Sequence, residues 1–241
     1  MTTTIKKIET CSICGKTSEH TGVGSTNAFG KMDLDTRPPE MERSTLYMRI
    51  QTCPSCGYCA PSISKKIDKA SDVVNIDSYQ RILKNPESPQ LANAFLCDSL
   101  IQGYLGKYAL AAWASVRAAW VCDDHESTIC AKIFRDRAVI LFKEARVNNQ
   151  KFASQIGEEE ALLADLLRRS DQFKEALEIC DEGLNKNPDE YIIKILKLEK
   201  TLIGKSDDTC HQVPSDYSGL EYWNKYWDNK YDYILNRLKA E

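Results

Sequence analysis

The sequence predicts an α+β fold, mostly α, in which a small N-terminal β unit precedes an irregular array of helices. Three observations carry this reading. Cys-x-x-Cys-Gly occurs twice near the N-terminus, at Cys11-Ser-Ile-Cys14-Gly15 and Cys53-Pro-Ser-Cys56-Gly57. Apolar residues take up a period near 3.6 from about residue 77 onward. Residues 157–188 match a helix–turn–helix repeat unit. A chain of 241 residues, 42% hydrophobic, can bury a real core, which excludes wholesale disorder. A formal charge of −3 excludes a global polyanion binder.

The N-terminal unit comes first in the argument. Five of the 10 cysteines fall at 11, 14, 53, 56 and 59; the others, at 97, 122, 130, 180 and 210, are scattered through helical sequence and read as small buried hydrophobes. Two thiolates three positions apart converge on one ion only where the backbone turns tightly. The Gly after each second Cys admits the left-handed conformation such a knuckle needs. Two knuckles supply Cys11, Cys14, Cys53 and Cys56, the tetrahedral thiolate set that Zn²⁺ takes in closed structural sites; iron is the alternative metal. A redox dithiol reading expects one pair opening a helix in a βαβ unit, a pattern this sequence lacks. Cys59 and His20 stand nearby and read as bystanders, because the four-ligand set is already complete.

Thirty-eight residues separate Cys14 from Cys53, more than a compact ribbon needs, so a segment is inserted between the knuckles. Ile5–Thr10 reads as a strand entering the first knuckle, and Leu46–Ile50 as a β-prone run entering the second. Between them, residues 24–44 show neither period, and Gly24, Gly30, Pro38 and Pro39 punctuate them. A loop of this length without regular structure is usually functional or disordered. Asn27, Phe29, Asp33, Asp35, Arg37 and Arg43 are its candidate interaction residues, held out by the metal site. The competing readings are a self-satisfied loop, with Arg37 or Arg43 paired to its own carboxylates, and a hard-cation site at Asp33 and Asp35 that lacks the spacing of a calcium loop.

The helices follow in order. Ser88-Pro89 reads as cap and first residue of a helix through Leu105, with Gly106 as its stop. A second runs over Lys107–Val121. Asp123-Asp-His-Glu126 reads as a capping box opening a third, which carries Ile129, Ile133, Phe134, Ile140 and Leu141 to about Val147. In 157–188, Leu163, Ala164 and Leu167 mark the first helix of a tetratricopeptide-like unit. Phe173, Ala176, Cys180 and Gly183 mark its second, and Pro188 ends it; Glu160 departs from the usual large apolar residue. A weaker copy covers 92–123, and Asn187-Pro188-Asp189-Glu190 caps a further helix to about Ile203. Trp223, Trp227, Tyr231, Ile234 and Leu238 recur at helical spacing and read as a capping helix that closes the array.

The expected organisation is a zinc-ribbon domain over 1–64 with its inserted loop at 24–44, a connecting segment over 65–90, and a tetratricopeptide-like helical domain over 91–241. The combination resembles an uncharacterised prokaryotic family, a domain of unknown function with an N-terminal four-cysteine zinc ribbon and C-terminal tetratricopeptide-like helices. The residues that carry the resemblance are Cys11-x-x-Cys14-Gly15, Gly24–Gly30, Asp33–Pro39, Arg43-Ser-Thr45, Cys53-Pro-x-Cys56-Gly-Tyr58, Leu91–Phe95 and Ala118–Asp124. The resemblance implies metal binding by Cys11, Cys14, Cys53 and Cys56 and suggests no catalytic residue. Cys59 and the aromatic C-terminal segment lie outside it.

Enzyme signatures fail. Gly103–Tyr108 is too short for a phosphate-binding loop, no His-Glu-x-x-His or Gly-x-Ser-x-Gly occurs, and three His leave few acid–base candidates. Residues 1–60 hold seven Lys and Arg against six Asp and Glu, a balance that argues against nucleic acid. No apolar stretch follows Met1–Lys7, and the run Tyr108–Cys122 is broken by Arg117 and too short to cross a bilayer. The expectation is a non-enzymatic, cytoplasmic, zinc-binding interaction protein that offers a helical surface to a protein or peptide, with no membrane partner. The alternatives are a nucleic-acid-binding zinc ribbon and, behind it, a thiol-redox or hydrolytic enzyme.

Overall fold

A computed structural model describes residues 1–214. It shows a mixed α+β chain with short antiparallel strands at the N-terminus and a helical remainder. The capping helix read at Trp223–Leu238 lies outside the described residues. Strand β1 (Thr3–Thr10) pairs antiparallel with β2 (Thr17–Ser25), in register from Thr10–Thr17 outward, and the first knuckle forms the hairpin's tip. This hairpin is largely solvent-exposed, with Ile5 and Ile8 on the surface. β3 (Gln51–Thr52) and β4 (Cys59–Ala60) flank the second knuckle in the same way.

The β-prone run before the second knuckle is not a strand. Arg43–Arg49 forms a 3₁₀ helix that buries Thr45, whose hydroxyl donates to the Glu42 carbonyl. The pairing before the second knuckle consists of Gln51 opposite Ala60 and Thr52 opposite Cys59.

Among the described residues, eight α-helices follow: α1 (Ala70–Val74), α2 (Asp77–Leu83), α3 (Gln90–Tyr104), α4 (Tyr108–Asp124), α5 (Thr128–Val147), α6 (Glu158–Arg168), α7 (Phe173–Asn185) and α8 (Glu190–Gly204). Consecutive helices from α3 onward pack on one another, and α6 also meets α8. α3 and α4 are buried over much of their circumference, as expected of helices enclosed by others. The unit read at 157–188 forms the α6–α7 pair. Gly183 brings α7 close to its neighbours: a Cβ there would lie 2.8 Å from Glu160 Cβ and 2.9 Å from Leu196 Cδ1. Asp189 caps α8, accepting from the Ile192 amide at 2.9 Å.

Two sequence expectations shift. Pro89, rather than Ser88, precedes the first helical residue, and the Ser88 hydroxyl bonds Asn93 instead. Asp123 does not open α5: it lies within the last turn of α4, and Ser127 takes the capping position. The reason is tertiary, since Asp123 accepts ion pairs from Arg135 and Arg169.

The described residues form two apolar cores. The first joins Cys11, Cys53, Tyr58, Cys59 and Ile63 to α1, α2 and α3 and to one face of α4, so it runs across residue 64 without a break. The second lies among α4 to α8 and includes Leu34 of the inserted loop. α4 and α5 contribute to both.

Candidate metal centre

Each knuckle is closed by the same two backbone bonds. In the first, the Cys11 amide donates to the Lys16 carbonyl (2.9 Å) and the Gly15 amide to the Cys11 carbonyl (2.9 Å). In the second, Cys53 donates to Tyr58 (2.8 Å) and Gly57 to Cys53 (3.0 Å). Gly15 and Gly57 sit at φ +74° and +77°, in the left-handed region. The Ser12 amide donates to the Ile63 carbonyl at 2.8 Å and ties the first knuckle to the segment after the second.

The four sulfurs meet. Cys11 Sγ lies 3.7 Å from Cys56 Sγ, and Cys14 Sγ lies 3.5 Å from Cys53 Sγ. All four fall within 4.8 Å of one another. A tetrahedron with metal–sulfur bonds of about 2.3 Å has edges of about 3.8 Å, so the set fits a single ion. The four cysteines are therefore positioned to bind a metal. Cys11 and Cys53 are buried, Cys56 is half-buried and Cys14 is exposed.

Backbone amides aim at the sulfurs. The Lys16 amide holds the Cys14 thiol down, to about 6. Burial pushes the Cys11 and Cys56 thiols up, against amides of Ile13 and Cys14 at Cys11 and of Tyr58 at Cys56. Such amides compensate part of the negative charge that four thiolates bring to a divalent ion. Cys59 stays out of the set: its sulfur lies by Thr52 and the Gly57 carbonyl, while its amide donates to Tyr79 Oη at 3.0 Å. His20 sits on β2 beside Ser18.

The inserted loop departs from expectation. Asp33, Asp35 and Arg37, candidates for facing a partner, are all buried against the chain itself, and the Arg43–Asp33 pair is of the kind the self-satisfied reading expects. Asp35, fully buried, accepts from Trp120 Nε1 (2.8 Å) and from Arg169 (2.9 Å), 134 residues away. Arg37 pairs with Asp124 of α4, and Arg43 with Asp33 within the loop. Asp33 and Arg37 bracket a tight turn in which Thr36 takes φ +66°, a conformation that a β-branched residue adopts only under constraint. Asn27 and Phe29 remain exposed, and Arg43 is half-buried.

Sequence reasoning missed the network that receives this loop: Trp120, Asp123, Asp124, Arg135, Asp165, Arg168, Arg169 and Glu199. One signal was present. Asp165 and Arg168 follow Ala161 at helical spacing, and so fall on the buried face of α6.

No protein-family model, curated protein or solved structure matches the chain. The family resemblance thus rests on its motifs alone. What the fold and site define is an α+β protein with a four-cysteine cluster near its N-terminus, positioned to bind a metal ion, and a helical C-terminal region.

Proposed function

We propose that the four cysteines hold a structural Zn²⁺ and that the protein is a non-catalytic scaffold whose helical surface meets a protein or peptide. The observation that carries the metal half is the closure of the site: four sulfurs within 4.8 Å leave no ligand position for water or substrate. Bound there, Zn²⁺ supplies folding energy rather than chemistry. Ten thiols, four of them gathered for a metal, suit a reducing compartment such as the cytoplasm.

Support for the scaffold half lies on α5. Ile129, Ile133, Ile140 and Val147 are all more than half exposed and recur along one side of the helix. The α6–α7 pair, drawn together at Gly183, is consistent with a tetratricopeptide-like unit.

The two halves are tested separately. Elemental analysis of protein purified without added metal is expected to give one zinc per chain; iron in its place overturns the zinc assignment. Affinity capture with wild-type chain and with an Ile133→Lys, Ile140→Lys variant is expected to lose its bound protein in the variant. An identical set of captured proteins removes α5 from the reading.

A further inference from the structure

Among the described residues, the buried side-chain polar atoms without a partner are Arg37 Nε, Arg135 Nε, Arg169 Nε, Asp165 Oδ2 and Glu199 Oε1, all in a network of neighbouring ion-pair groups. Most of that network is balanced. Arg37, Arg43, Arg135 and Arg169 face Asp124, Asp33, Asp123 and Asp35. The exception lies between α6 and α8. Arg168 Nε donates to Glu199 Oε2 (2.7 Å) and its Nη2 to Asp165 Oδ1 (2.6 Å). One edge of one guanidinium thus holds two carboxyl groups by one oxygen each, and their other oxygens are the unpaired Asp165 Oδ2 and Glu199 Oε1. All three side chains are essentially inaccessible. Two adjacent buried anions against one cation leave an uncompensated charge, which is strongly destabilising.

We propose that Glu199 carries a proton and donates it to Asp165, so that α8 is closed onto α6 by a pH-sensitive latch. A single proton removes the surplus charge, and the Glu199 and Asp165 side chains lie within hydrogen-bonding reach of each other. Glu199 is its holder because Asp165 also feels Arg169 and Arg135, whereas the cation acting on Glu199 is Arg168. Burial and the neighbouring Asp165 push the Glu199 carboxyl well above its ordinary range. The groups that face the pair are Arg168 and Arg169 of α6, Arg135 of α5, Cys180 of α7, Asp35 of the inserted loop and Cys210 of the chain after α8.

The latch reaches the loop through Arg168. Its Nη1 donates to the carbonyls of Asp207 (2.6 Å) and Thr209 (2.9 Å). Beyond them, the Leu34 amide donates to the His211 carbonyl and the Val213 amide to that of Met32. Loss of the proton sets Glu199 and Asp165 repelling each other at the root of this strap, and loosens the cover over the Asp33–Arg37 turn.

The sign of the pH dependence follows from linkage. Between the ordinary carboxyl range and the raised one, the native chain holds a proton that the unfolded chain releases. Stability is therefore full at acidic pH and is lost as pH rises through the folded value, by up to about tenfold in the folding equilibrium per pH unit.

The test uses the full, metal-loaded chain. Thermal unfolding is followed from mildly acidic to mildly alkaline pH for wild type and Glu199→Gln. Infrared spectra of wild type carrying ¹³C at glutamate carboxyls are recorded at neutral pH. The latch requires an isotope-shifted un-ionised carboxyl band in wild type, and a variant whose stability falls less with pH. Hydrogen exchange at the Leu34 and Val213 amides should accelerate with pH more in wild type than in the variant. A spectrum containing only ionised glutamate overturns the proposal, even where Glu199→Gln fails to fold. An unchanged pH slope in a folded Glu199→Gln overturns it as well.

Discussion

The two knuckles share a sequence form and the same backbone bonds, yet they live in different surroundings. The first, at Cys11–Gly15, tips an exposed hairpin; no atom lies within 4 Å of where a Gly15 Cβ would stand. The second, at Cys53–Gly57, is rooted in the first core. A Gly57 Cβ would lie 2.4 Å from Leu83 Cδ2, while Tyr58, Cys59 and Ile63 are fully buried just beyond it. The difference teaches that a metal held by the four sulfurs would do two jobs. It would supplement the packing that already fixes the second knuckle, and it would join Cys11 and the Ser12–Ile63 bond in anchoring the first.

The largest effect that can break this comparison is removal of the metal. Chelation is expected to release the β1–β2 hairpin from hydrogen-exchange protection and to weaken α1–α3, which share a core with Cys53. α6–α8, packed in the second core, should keep most of their protection. Uniform loss along the chain would instead make the molecule one cooperative unit.

Gly57→Ala comes next, at a cost of about 2 kcal/mol by denaturant unfolding, from left-handed strain together with overlap on Leu83. Adding Leu83→Ala should relieve the overlap while leaving the strain. Tyr79→Phe tests the floor of the same knuckle. The Tyr79 hydroxyl accepts from the Cys59 amide and donates to the Gly57 carbonyl, each at 3.0 Å. Removing it should cost about 1–2 kcal/mol, with metal content unchanged.

Gly15→Ala is the smallest, about 1 kcal/mol, since only the left-handed backbone opposes it. A Gly15→Ala cost equal to that of Gly57→Ala would show that backbone strain alone governs both knuckles.

A further prediction concerns the first core, which buries Asp98. Burial pushes this carboxyl up to about 6, against the hydrogen bond from Gln102. The native chain then holds a proton that the unfolded chain loses near 3.8. Stability falls as pH rises through that window, and Asp98→Asn should flatten the fall in unfolding measured across it.

Much of the metal centre was legible because its determinants are local. Cys-x-x-Cys-Gly encodes a knuckle in five residues, and the left-handed glycine follows from sterics within them. The α8 cap at Asp189 and the α6–α7 pair were legible for the same reason. The inserted loop was not. Asp33, Asp35 and Arg37 look like surface charges in sequence, and nothing within 24–44 indicates that Trp120 and Arg169 will enclose them. Asp123 and Asp124 misled similarly, since a capping box is a local inference and their partners Arg135, Arg169 and Arg37 are not local.

The sequence by itself determined which four sulfurs converge and where most helices lie, because backbone sterics and apolar periodicity act over a few residues. Tertiary structure alone decided that the loop turns inward, that the second knuckle shares a core with α1–α3, and that Arg168 holds two carboxyl groups. Burying a charge is tolerable only beside its partner, and that partner is chosen by the packing of segments distant along the chain.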